Sequence, residues 1–179
     1  MSKINVPQRN EVNEQNQQIF DQLEKNLGMV PNLYATLAHS DNALASYLAL
    51  QNSKTSLTGK EREIVNLVVS EVNDCEYCLA AHTMIAGSVG FNKNEILEIR
   101  SGTAKFDRKL DALAKFTKAV ASERGKINPL AVDAFLSAGY TKENLVDVIV
   151  NIGDKTVTNY LHSVTQVPVD FPVAEKLRA

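Results

Sequence analysis

GKEREIVNLVVSEVNDCEYCLAAHTMIAGSVG, residues 59–90, consists of two apolar-striped segments on either side of Asn73 and Asp74. Apolar residues return at helical spacing in both segments, and Asn73 and Asp74 suit helix ends far better than helix interiors. The spacing therefore predicts helices over Gly59 to Val72 and Cys75 to Val89. Thr58 with Glu61 supplies a capping box at the entry, and Gly90 a left-handed cap at the exit. The same punctuation continues in both directions. Gly28, Gly102, Gly125 and Gly139 each close a periodic stretch, while Asn92 with Glu95, Asn128 before Pro129, and Thr141 open others. Helices are expected near Glu11 to Leu27, Asn32 to Ala38, Asn42 to Lys54, Lys93 to Ser101, Arg108 to Arg124, Pro129 to Ala138 and Lys142 to Gln166. Strand signals are almost absent, so the fold class is all-α: one helical bundle over residues 1–179, with its core motif at 58–90. The tail at 167–179, containing Pro168 and Pro172, is expected to lie extended over the body or a neighbouring subunit.

A chain of 179 residues with 44% hydrophobic and 22% charged residues is long enough for a sizeable core. Its formal net charge of -2 gives no reason to expect nucleic acid or an anionic membrane as partner. Apolar runs are too short to span a bilayer, and MSKINVPQRNEVNEQNQQ lacks the apolar core of a secretory signal. A cytoplasmic location is expected. Thiols stay reduced there, so a close cysteine pair points to catalysis, redox sensing or metal binding, not to a structural staple.

The only two cysteines, Cys75 and Cys78, lie together in NDCEYCLAAH. The helix start predicts Cys75 at the first helical position and Cys78 within the first turn, where the helix N-terminus favours thiolate. The dipole alone makes Cys75 the more acidic thiol. A three-residue offset puts both sulfurs on one face, near enough for a disulfide. His82 follows one turn beyond Cys78, placed to take a proton from a thiol or return one to a leaving oxygen. Glu61, Glu63 and Glu71 on the preceding helix could each orient that imidazole. If the helices form an antiparallel hairpin, Glu63 lies alongside His82, on an otherwise apolar stripe. Three bland alternatives stand beside this. The cysteines could be small buried hydrophobes, Glu63 could be a surface carboxylate paired with Arg62 or Lys60, and the thiols with His82 could bind zinc, taking a fourth ligand from His162 or Glu63. An apolar pocket is expected around Leu79, Met84 and Phe91.

Eighty residues on, GYTKENLVDVIVNIGDKTVTNYLH echoes the motif. Gly139, Glu143, Val148, Asp154 and His162 match Gly59, Glu63, Val68, Asp74 and His82, while Lys155 and Thr158 replace the cysteines. An internal duplication would explain this. One continuous helix would instead make His162 structural or a subunit contact. His39 is expected at a helix end without chemistry.

The run EREIVNLVVSEVNDCEYCLAAHTMIAG resembles the core motif of the alkylhydroperoxidase AhpD-like branch of the carboxymuconolactone decarboxylase family: a Glu, eleven residues, CxxC, three residues and a His. Glu63, Cys75, Cys78 and His82 fit it with unchanged spacing. Similarity extends from VPNLYATLAHSDNALASYLALQ to TNYLHSVTQVPVDFP. The resemblance implies an AhpD-like helical fold and a peroxidase, free of cofactor and metal, that reduces hydrogen peroxide or organic hydroperoxides in antioxidant defence. Cys78 would be the attacking thiol, Cys75 the resolving thiol, and His82 with Glu63 the proton relay. It further implies an external dithiol reductant of lipoyl or thioredoxin type, and a homo-oligomer, a trimer or hexamer. The family prototype carries a histidine where this chain has Tyr77, and a phenol is a poor proton shuttle near neutrality. A non-enzymatic thiol/disulfide sensor is the alternative from another class. Lactone decarboxylation is the third, disfavoured because it has no use for a CxxC.

Overall fold

The computed structural model describes residues 4–177, so the ends of the chain, including the last two residues of the tail, lie outside it. After a short 3-10 turn at Arg9–Glu11 come α1 (Glu14–Leu27), α2 (Asn32–Leu37), α3 (Ala43–Gln51), α4 (Gly59–Val72), α5 (Glu76–Ser88), α6 (Lys93–Arg100), α7 (Arg108–Ser122), α8 (Pro129–Ser137) and α9 (Lys142–Thr165). No strand occurs among the described residues. The fold is all-α, as expected. The largest boundary differences are at α1, which starts only after Asn13 because that side chain accepts a hydrogen bond from the Asn16 amide, and at α3, which stops at Gln51. Reciprocal capping boxes form at Thr58 with Glu61 and at Asn92 with Glu95. All five predicted cap glycines have positive φ.

α4 is central because it is apolar nearly all round. Ile64, Val65, Leu67, Val68 and Val69 are fully buried, and α5, α6, α7 and α9 pack around them. At one end of this core Phe135 stacks between Phe116 and Tyr140, with ring centroids 4.5 and 4.4 Å apart. Phe135→Ala removes a fully buried ring from this sandwich and is expected to cost about 3 to 5 kcal/mol of stability. A urea unfolding curve that barely shifts its midpoint would contradict that. A second apolar cluster, containing Phe20, Leu44 and Tyr47, joins α1, α2 and α3 and reaches Leu161 on α9.

α9 runs unbroken for 24 residues and does not repeat the α4–α5 hairpin. The counterpart of Asp74 lies mid-helix, whereas Asp74 itself turns the chain with φ 49°. His162 is buried, its Nε2 meeting the Val167 carbonyl oxygen at 3.1 Å, and so serves as a structural residue. The exposed His39 ring bonds the Asn5 carbonyl oxygen. From Gln166 the tail crosses the body as a strap. Asp170 accepts a hydrogen bond from the Asn32 amide at 2.6 Å, the Asn32 side chain donates to the Pro168 carbonyl, and Arg100 donates to the Glu175 carbonyl. No helix among the described residues is long and apolar enough to cross a membrane.

Candidate active site

The turn between α4 and α5 fixes the thiols. After the left-handed Asp74, the Cys75 amide donates to the Ser70 carbonyl and Cys75 takes an extended conformation, φ −93°, ψ 96°. Cys75 is thus the N-cap of α5, one position earlier than the spacing suggests. Its sulfur accepts from the Cys78 amide at 3.4 Å, a role usually played by Ser or Asp oxygen. The two sulfurs are 2.7 Å apart, and both residues are free cysteines.

Their acidities reverse the order predicted from the helix dipole. The Cys75 thiol donates to the Cys78 sulfur, and this bond, with burial and the neighbouring charge, pushes Cys75 well above the ordinary cysteine range. The same bond stabilises charge on Cys78, and with Lys155, Asn159 and Thr158 it outweighs burial to bring Cys78 down to about 7. Donation of a hydrogen bond beats proximity to the helix end. Access follows the same division: Cys75 is 0% exposed, and it is Cys78 that faces a cavity. Iodoacetamide alkylation of Cys78 is expected to rise about tenfold per pH unit below a midpoint near 7 and level off above it. A midpoint at the ordinary value of roughly 8.5 would contradict this arrangement.

His82 projects from the next turn of α5. Its Nδ1 meets Glu63 Oε2 at 2.8 Å, and Glu63 Oε1 accepts from Asn66, whose own oxygen accepts from Asn151 on α9, each at 2.8 Å. Of the three candidate carboxylates, Glu63 is the one beside the imidazole. Glu61 closes its capping box and approaches Lys109, and Glu71 pairs with Arg100. Burial pushes Glu63 up, but His82 and Asn66 overcome it, leaving Glu63 an anion below the usual range. Burial and the nearby Lys155 hold His82 below its ordinary value, so the imidazole is neutral. A carboxylate on Nδ1 places the proton there and leaves Nε2 as a base.

The cavity has a volume of about 450 Å³. Its buried floor is Cys78, His82, Lys155 and Thr158, and its more exposed rim includes Leu27, Met84, Ile85 and Pro172. Met84 lines it as expected; Leu79 and Phe91 do not. Helical rotation turns Leu79 away from Cys78 toward Glu71 and Arg100, and Phe91 packs into the main core. Tyr77 is a wall residue. Its oxygen accepts from the Leu33 amide, its ring meets Phe171 edge-on at 5.5 Å, and burial raises its pKa, so it shuttles no proton. On the opposite wall Tyr34 donates to Gln51, which donates to Tyr47.

The contribution of α9 is absent from the sequence-derived site. Lys155, Thr158 and Asn159 are buried beside the thiols, and Asn159 ties the turn together by donating to Ser70 and accepting from Asn73. The signal was a polar stripe at helical spacing, Asn151, Asp154, Lys155, Thr158, Asn159 and His162, which faces inward. Among the described residues no group of three His, Cys, Asp or Glu side chains is arranged to hold a metal ion.

Residues 36–106 match the model of the carboxymuconolactone decarboxylase family, a span that includes Glu63, both cysteines and His82 but stops short of α9. No curated protein sequence matches the chain. Among solved structures, an uncharacterized peroxidase-related protein from Ralstonia eutropha JMP134, an alkylhydroperoxidase AhpD core, superposes with a TM-score of 0.85 at 21% identity, covering 94% of this chain and 92% of that one. A peroxidase-related protein from Silicibacter sp. TM1040 gives 0.82 at 23% identity, over 92% of this chain and 90% of that one. The debrominase Bmp8, as a Cys→Ala variant in complex with 2,3,4-tribromopyrrole, gives 0.77 at 16% identity, over 95% and 92%. At such identities the likeness establishes the fold.

Proposed function

We propose that this chain, whose residues 36–106 match the carboxymuconolactone decarboxylase family model and whose fold is that of AhpD-like peroxidase-related structures, is a thiol peroxidase acting on organic hydroperoxides in antioxidant defence. What carries this is a hydrogen-bonded dithiol beside a neutral, carboxylate-anchored histidine, on the floor of a largely apolar cavity. His82 Nε2 takes the Cys78 proton where the thiol is not already ionised. The thiolate attacks the outer oxygen of the hydroperoxide and the O–O bond breaks. Cys78 becomes a sulfenic acid, and the departing alkoxide takes back the proton that His82 received from the thiol, or a proton from water where Cys78 began as the thiolate. Cys75 then attacks the Cys78 sulfur, its own proton leaves with the hydroxide as water, and a disulfide remains. An external dithiol restores both thiols by exchange. A slender lipoyl-type arm suits this better than a protein thiol, because the Cys78 sulfur sits at the bottom of the cavity. A compartment that keeps thiols reduced, such as the cytoplasm, suits the cycle.

The outer face of α9 supports self-association. Val146, Ile149, Val150, Val157, Tyr160 and Val164 are exposed there at helical spacing, an apolar stripe that a lone protomer leaves wet. A trimer or hexamer would cover it, and sedimentation velocity at micromolar protein tests this.

To test the activity, thiols are titrated in reduced protein before and after one equivalent of cumene hydroperoxide, and peroxide consumption is followed with excess dihydrolipoamide. Loss of both thiols with steady turnover supports the peroxidase. Oxidation without turnover points to a sensor, and unreacted thiols exclude both. The cavity and dithiol also suit dehalogenation of a small halogenated ring, as the debrominase Bmp8 carries out, and a bromopyrrole in place of the hydroperoxide distinguishes it.

A further inference from the structure

Lys155 stands near the middle of α9 with only 2% of its surface exposed, yet it makes no ion pair among the described residues. Buried lysines are rare without a partner, because removing an ammonium from water is expensive. Its neighbour Asp154 does not supply one. That carboxylate lines a separate surface pocket with Arg62 and Asp147, and one of its oxygens is buried without a hydrogen-bond partner. Lys155 instead lines the cavity floor with Cys78, His82 and Thr158. The titratable and charged groups around the dithiol are Cys75, Tyr77 and His82 on α5, Glu63 on α4, Asp154 and Lys155 on α9, Tyr34 and Tyr47 on α2 and α3, and Asp170 on the strap. With His82 neutral, Lys155 is the positive charge in this set.

We propose that Lys155 is the fixed cation of the site: its ammonium holds Cys78 as the thiolate, then stabilises the negative charge that develops on the alkoxide oxygen expelled from the hydroperoxide as the O–O bond breaks. The second half rests on the peroxidase function; the first does not. The thiolate is the anion that a buried, unpaired ammonium facing the cavity lacks, and the field of Lys155 acts on Cys78, Glu63 and His82 alike. It favours anions at Cys78 and Glu63 and disfavours the imidazolium at His82. One charge thus biases the resting protonation of the whole relay in a single direction, in addition to the Cys75 hydrogen bond and burial. Proton delivery stays with His82.

The test compares wild type with Lys155→Met, Lys155→Gln and Lys155→Arg, each checked for a native helical melt. Cys78 is titrated through its iodoacetamide alkylation rate against pH, with the modified peptide identified by mass, and no peroxide present. Removing the charge is expected to raise the midpoint from about 7 by roughly one unit or more, with Lys155→Arg restoring most of it. Single-turnover oxidation by cumene hydroperoxide is then measured at a pH above both midpoints, where all forms are thiolate. A remaining loss of tenfold or more in the neutral variants supports the leaving-oxygen role. An unmoved midpoint in a folded neutral variant overturns the thiolate role, and an equal rate per thiolate overturns the second. If the midpoint moves but wild type ignores the peroxide, Lys155 keeps its hold on the thiolate and the peroxidase function fails. Lys155→Gln, which keeps a polar head, provides the neutral readout should Lys155→Met fail to fold.

Discussion

Cys78→Ser is expected to lower hydroperoxide consumption by on the order of a thousand-fold or more, whereas Cys75→Ser completes one turnover and stops with a sulfenic acid on Cys78. The asymmetry follows from the hydrogen bond between the thiols and from the cavity that only Cys78 faces. A serine hydroxyl at position 78 does not ionise near neutrality, so no nucleophile remains. At position 75 a hydroxyl still caps α5 and can still donate to Cys78, so the fold and much of the thiolate survive while the resolving sulfur is gone. Cys75→Ala separates the two duties, because it also deletes the donor and shifts the Cys78 alkylation midpoint upward. Stopped-flow oxidation with dimedone trapping of the sulfenic acid measures this. A sulfenic acid trapped on Cys75 in Cys78→Ser would reverse the assignment.

His82→Ala is expected to slow sulfenic acid formation at neutral pH by roughly a hundred- to ten-thousand-fold, because it removes the base that takes the thiol proton and the acid that returns it to the alkoxide. The same change strands Glu63, a buried carboxylate left with Asn66 as its remaining hydrogen-bond donor, and about 3 kcal/mol of stability should go with it. Replacing Glu63 by Gln in the same chain should recover stability without recovering rate. Urea unfolding and single-turnover kinetics on the single and double variants read the two effects separately. A rate within tenfold of wild type would remove His82 from the proton path.

The α4–α5 half of the site is legible in the sequence because its residues are local. CxxC and His fall on consecutive turns of one helix, and a two-residue turn folds Glu63 back beside His82. The exact place of Cys75 depends on one backbone angle, that of Asp74, which spacing cannot convey. The order of acidity is not legible because spacing shows that two sulfurs are neighbours and not which of them donates. The α9 half is hidden for a different reason. Periodicity finds the two faces of an amphipathic helix, and polar residues are normally assigned outward. In α9 the polar stripe lies inside and the apolar stripe outside, with Val164 80% exposed. Lys155 and Thr158 stand in the echoing motif where the cysteines do in the first, a pattern that reads as lost chemistry and not as part of the site.

The strap is separable from the reactive centre. Both thiols, His82, Glu63 and Lys155 belong to the α4–α5 hairpin and α9, whereas Asp170, Phe171 and Pro172 of the strap supply only part of the cavity wall. A cut just beyond the left-handed, exposed Gln166 would keep the first and release the second. Such a cut would leave the described helices whole and turn a selective chamber into an open dithiol.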